Sequence, residues 1–167
     1  MPKDELVKNY YRKIYKLALY QLQDVNEAED LTHDIFYKVL NSLKSFEERS
    51  DVYTWIYRIA LNTIRNYLRR KKIVKFISFE DDPAGYSLPA DSDDPAMRSE
   101  EEELKKIKLQ KLNEAIKLLS HRERTAFFFF HYEKMKQREI AAVMGTSVSA
   151  VESLVFKSMK KIKKTLA

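Results

Sequence analysis

The chain has 167 residues with only 2 Gly and 4 Pro, too few turn formers for an all-β fold, and no Cys, which excludes disulfides, thiolate metal sites and cysteine nucleophiles. Gly85 and Gly145 stand too far apart for a glycine-rich phosphate loop. The net charge of +6 conceals a split: residues 77–104 hold ten acids and one base, a net of −9, which leaves +15 on the remainder. Base clustered on either side of an acidic middle is the footprint of a nucleic-acid binder. The N-terminus is charged from Lys3 onward, and no apolar run approaches the ~20 residues of a membrane span. These features lead us to expect a cytoplasmic all-α protein without a membrane span.

In chain order, Leu6, Tyr10, Ile14, Leu17 and Ala18 recur at helical spacing, and Asn26 is the expected cap of a second helix carrying Ala28, Leu31, Ile35 and Val39. Ser50 or Asp51 is expected to cap a third, whose stripe runs through Val52, Trp55, Ile56, Ile59, Ala60, Thr63, Ile64, Tyr67 and Leu68. Tyr57 and Asn62 fall at the edge of that stripe and are candidates for function. Basic residues close the helix, among them Arg65, Arg69 and Arg70. The expected first domain is 1–76. Residues 77–98 then collect Pro83, Pro89, Pro95, Gly85 and six of those ten acids, the composition of a linker. Twenty residues of it span at most about 70 Å when extended. The expected second domain, 99–167, resumes a helical pattern at Leu104, Ile107, Leu112, Ala115, Ile116 and Leu119. Ser120 opens the next helix, which holds the aromatic run Phe127 to Phe130.

The segment 136–155 is the most informative. A short helix ends at Met144, Gly145 can take the left-handed backbone of a helix end, and a longer helix follows through Val148, Val151, Val155, Met159 and Ile162. This pattern predicts a helix-turn-helix, whose second helix enters the DNA major groove. The outward face of that helix carries Ser149, Glu152, Ser153, Phe156, Lys157 and Lys160, with Ser147 and Ala150 at its start. Small and hydrogen-bonding side chains read base edges there, and lysines meet phosphates.

Four segments resemble the extracytoplasmic-function (ECF) sigma factors of bacterial RNA polymerase. Residues 28–36 (AEDLTHDIF) are similar to the family's polymerase-binding helix, and residues 54–62 (TWIYRIALN) to its promoter-melting helix, followed by the basic Arg69-Arg70-Lys71-Lys72. Residues 119–124 (LSHRER) and 139–145 (EIAAVMG) resemble the opening and the turn of its second DNA-binding region. The resemblance implies a polymerase contact at Asp30, Leu31, Asp34, Ile35 and Phe36. It implies minus-ten DNA contacts at Phe46, Tyr53, Tyr57, Arg58, Asn62, Arg65, Arg69 and Arg70, and minus-thirty-five contacts on the helix-turn-helix. It further implies core RNA polymerase, promoter DNA and an anti-sigma factor as partners, a monomer when free, an acidic linker running toward the RNA exit path, and no catalytic role or cofactor. Glu152 and Leu154 stand where the family often carries bases, and Glu152 could accept from a cytosine amino group. Thr32, His33 and Lys134 replace commoner Gln and Gly on what should be exposed helix or turn.

Two other readings were weighed. Asp30 and His33 have the i, i+3 spacing of a di-iron bundle ligand pair, but neither His121 nor His131 supplies a second pair, so no metal is expected. A stand-alone helix-turn-helix regulator would account for residues 99–167 and leave the first helices unexplained.

Overall fold

The computed structural model describes residues 2–47, 49–78 and 99–167, of which the side chains of 75–78 fall outside the description. Of the expected linker, only residues 77 and 78 are described, and they continue a helix; its acids Glu80, Asp81, Asp82, Asp91, Asp93 and Asp94 lie outside the described residues.

Helix α1 (Lys3–Leu22) buries Leu6, Ile14, Leu17 and Ala18 and stops where Gln23 turns left-handed (φ 57°), its N–H closing on the Leu19 carbonyl at 2.8 Å. The next helix, α2 (Val25–Ser42), is capped by Asp24, whose extended backbone lets its carboxylate accept from the Glu27 N–H at 2.8 Å. The expected cap at Asn26 is therefore corrected: Asn26 already lies inside the first turn. A single 3₁₀ turn, Leu43–Ser45, leads into the loop before α3 (Val52–Ser78). There the Asp51 carbonyl takes the first helical bond from Trp55, as its expected capping position requires. The three helices bury Ala28, Leu31, Ile35, Val39, Ile56, Ala60 and Ile64 against α1.

The second domain begins with Ser99, which forms a reciprocal capping box with Glu102 at the head of α4 (Glu100–Lys117), where four glutamates favour the positive helix end. Only Ala115 and Ile116 of this helix are buried. Leu104, Ile107 and Leu109 are exposed, so the apolar spacing read there overstates the packing. A second box, Ser120 with Glu123, opens α5 (His121–Phe127), which runs into a π turn at Phe128–Tyr132. Phe128 and Phe129 are buried as the run predicts, while Phe127 and Phe130 are half-buried. Then come α6 (Gln137–Met144) and α7 (Val148–Leu166).

The two domains are joined by packing as well as by chain. One apolar core runs continuously from Ile14, Ile56 and Tyr57 to Phe128, Phe129, Ile140 and Val151. Helix α3 packs on α6, and α1 on α5. Full burial of one phenylalanine such as Phe129 contributes about 1.5–3 kcal/mol, so this seam is a substantial part of the fold.

Candidate nucleic-acid interface

The turn between α6 and α7 bends the chain by 103°, within the range of a helix-turn-helix. Gly145 makes that bend possible at φ 64° and ψ 41°, and the Thr146 N–H reaches back to the Ala141 carbonyl at 3.0 Å. Ser147 caps α7 by accepting from the Ala150 N–H at 3.1 Å. Val151, Val155, Ser158 and Ile162 face inward; Val148 is exposed and Met159 half-buried, so Ser158 takes a core place that the apolar spacing left out. The opposite face presents Ser149, Glu152, Ser153, Phe156, Lys157 and Lys160 to solvent, with Phe156 70% exposed; Ala150 is half-buried. A solvated phenylalanine between hydroxyls and lysines costs free energy with nothing against it, which suits a surface that meets a thymine methyl or a base face.

On α3, Arg58, Asn62, Arg65, Arg69 and Arg70 are exposed along one side, and the Asn62 carbonyl oxygen accepts from Arg65 at 2.8 Å. Phe46 packs on Trp55 with ring centroids 4.8 Å apart. Tyr53 is half-buried, edge-on to Tyr57 at 5.6 Å. Tyr57 is not at the edge of the stripe as expected: it is 1% exposed and meets Phe129 of the second domain edge-on at 5.0 Å. Burial first, and then the Glu133 carboxylate, push its phenol far above the ordinary range. Tyr53 is pushed up to about 12, by burial and then Glu139 and Asp51.

The second domain also bonds to α3 directly. The Arg58 guanidinium donates from Nε and one Nη to the Ala142 carbonyl, at 3.0 and 2.8 Å. Gln21 at the end of α1 forms a three-way junction: its amide donates to Thr125 at 2.9 Å, its side-chain oxygen meets His121 Nδ1 at 2.9 Å, and its carbonyl accepts from Arg124 at 2.7 Å. Burial, with Arg124 and Arg65 behind it, lowers the His121 pKa, so the imidazole favours its neutral form. Between α3 and the α5 and α6 ends lies a cleft of about 360 Å³ that takes in Asn62 and Arg65.

On α2, Asp30 and Asp34 are exposed one turn apart. Leu31, Ile35 and Phe36 are buried in the core, so they can only hold the helix face and do not offer it. Thr32 is likewise buried, its hydroxyl on the Ala28 carbonyl at 2.6 Å, which corrects its expected exposure. Tyr37, which the sequence reading did not single out, is 72% exposed on the same side, and His33 lies within 3.1 Å of the Tyr11 hydroxyl. That reading also missed the Lys71 ammonium on both Glu27 oxygens at 2.8 and 2.7 Å, which ties the basic end of α3 to the start of α2. Lys134, where the family more often has Gly, holds a left-handed backbone at φ 56°. Among the described residues no three His, Asp or Glu gather as a metal site, and no single helix is long and apolar enough to cross a membrane.

Residues 6–73 match Sigma-70 region 2, and residues 109–162 match Sigma-70, region 4. The chain is 31% identical over 163 residues to the ECF RNA polymerase sigma-E factor of Escherichia coli K12, covering 94% of this chain and 82% of that protein. It is 30% identical over 168 residues to the RNA polymerase sigma-H factor of Pseudomonas aeruginosa, covering 98% and 85%. With the sigma factor YlaC of Bacillus subtilis it shares 26% over 163 residues, covering 98% and 91%. Its fold is similar to that of the sigma factor RpoE from Bartonella quintana, solved with the anti-sigma factor NepR (TM-score 0.76, 18% identity, 98% and 95% covered). It is also similar to CnrH, solved with the cytosolic domain of CnrY (TM-score 0.69, 20% identity, 98% and 86% covered). The exposed side of α3 from Arg58 to Arg70 falls within the first matched region and the helix-turn-helix within the second, and the chain belongs to the ECF sigma factors, which bind core RNA polymerase and direct it to promoters.

Proposed function

We propose that this sigma factor rests in a closed form in which its own second domain covers its melting helix, and that polymerase separates the two. The observation that carries this reading is the contact of Arg58 and Tyr57 with the second domain: both belong to the expected minus-ten surface, Tyr57 is covered by the Phe129 ring, and Arg58, though exposed, is tethered to α6 through the Ala142 carbonyl. In the open form, Phe46, Tyr53, Tyr57 and Asn62 would hold a base taken from the stack, and Arg65, Arg69 and Arg70 would hold phosphates. The α7 face from Ser147 to Lys160 would read the minus-thirty-five duplex. Asp30 and Asp34 would dock on core polymerase, with Tyr37 beside them. The expected domain limits, 1–76 and 99–167, follow this division of labour.

One fold relative was solved with the anti-sigma factor NepR, which supports control of this factor by such a partner. The factor would act in the cytoplasm as a transcription initiation factor without chemistry of its own. Asp34→Lys tests the docking face. We expect weakened assembly with core polymerase at unchanged helix content; unaltered assembly overturns the assignment. Co-purification of the wild-type chain with core polymerase separates this reading from a stand-alone regulator, which need not bind it.

A further inference from the structure

The closed form creates a cationic cleft that neither domain has alone. Arg58 and Arg65 enter it from α3, and His121 and Arg122 from α5. Among the described residues no acid lines it, and the ion pairs lie elsewhere, at Glu27, Glu47, Glu101 and Glu123. Arg122 is exposed and makes no hydrogen bond or ion pair among the described residues, and Arg65 bonds only to Asn62. Three arginines line this one cleft with no described acid among them, and their like charges repel one another, at a cost that an anion between them removes. One wall is different: Leu61 and Met144 give it an apolar surface. The volume, about 360 Å³, is that of a small-molecule site. Guanidinium forks match phosphate oxygens two at a time, and an apolar wall accepts the face of a heterocycle.

We propose that this interdomain cleft binds a nucleotide bearing a di- or triphosphate, the phosphates on Arg58, Arg65 and Arg122 and the base against Leu61 and Met144. Because both domains supply the lining, such a ligand binds the closed form only. By linkage it shifts the population away from the form that meets polymerase and promoter. The cleft is distinct from the DNA surfaces in that it disappears when they are exposed.

The test is calorimetric titration of the full chain with magnesium-free ADP, pyrophosphate and adenosine at low salt. We expect one ADP per chain, pyrophosphate weaker, adenosine weaker still, and at least a tenfold loss of ADP affinity in Arg122→Ala. Lys163→Ala, the same charge change on exposed α7 outside the cleft, should leave ADP affinity unchanged. Arg122→Ala removes an exposed, unpaired side chain, and circular dichroism confirms its helix content. In a Cys-free chain labelled once in each domain, ADP should also increase the closed fraction. Absence of saturable ADP binding overturns the proposal, as does equal weakening by Lys163→Ala. Adenosine or pyrophosphate binding as tightly as ADP likewise overturns it. A single-stranded oligonucleotide that binds the chain where ADP does not also overturns it, and assigns the cleft to nucleic acid.

Discussion

The Gln21 junction is a buried polar link across the closed form. Gln21→Leu keeps the size of the side chain and removes both of its hydrogen bonds across the seam, to Thr125 and His121. Thr125 still donates to the His121 carbonyl at 2.8 Å, so the hydroxyl keeps one partner, while the Nδ1 of half-buried His121 loses its own. The carbonyl of residue 21 continues to accept from Arg124. Two bonds at about 1 kcal/mol each give a loss of about 2 kcal/mol, which is roughly a 30-fold shift of the closed-to-open ratio at 1.4 kcal/mol per tenfold. The chain has no cysteine, so Glu29→Cys and Lys160→Cys, both exposed, place one label in each domain. Pulsed electron spin resonance distances between them should broaden toward longer separations in Gln21→Leu. The helix content of the variant should match the parent. An unchanged distance distribution at unchanged thermal stability would refute the reasoning, because the junction would then carry none of the interdomain energy.

Three further outcomes follow from the backbone and the charges. Gly145→Ala meets nothing within 4 Å of the added carbon, so its cost is backbone strain alone, a net of about 1 kcal/mol; calorimetry should show the melting temperature lower by about 2–4 °C, and an unchanged value contradicts the left-handed turn. Lys134→Gly relieves the same strain at φ 56° and should raise stability by about 0.5–1 kcal/mol; urea titration reads it, and a lowered midpoint refutes it. His121, faced by Gln21, Arg124 and Arg65, has its folded pKa held below the ordinary 6.5. The unfolded chain therefore binds more protons than the folded one below that pH, and His121 takes stability away as pH falls through 6.5 toward the folded value. Stability should drop between pH 7.5 and 5.5 in the parent and drop less in His121→Asn; equal drops remove His121 from the account.

The helices were largely legible because their signals are local. Apolar spacing, the Ser120 cap and the Gly145 turn all act within a few residues, and the structure has them where the spacing predicts. Asn26 failed as a cap because Asp24, two residues earlier, already satisfies the helix end, and composition alone does not choose between adjacent capping residues. Leu104 and Ile107 failed as core because periodicity states that a face is apolar and says nothing of what covers it. Of the expected polymerase face, Asp30 and Asp34 are exposed, while Leu31, Ile35 and Phe36 are buried in the core. Tyr57 and the cleft were out of reach of any local signal. They depend on Phe129 and Ala142, more than seventy residues away in the chain, and on two domains that the acidic middle of the sequence suggested were separate.

Transcription reconstituted from core polymerase, this chain and a library of genomic fragments, with permanganate footprinting of the melted DNA, tests the central claim most directly. The account predicts transcripts from a restricted set of promoters only when the chain is present, with thymines reactive over the minus-ten region, and promoter opening reduced in Asn62→Ala more than closed-complex binding. Transcription unchanged by adding the chain, or promoter opening as complete with Asn62→Ala as with the parent, would contradict it.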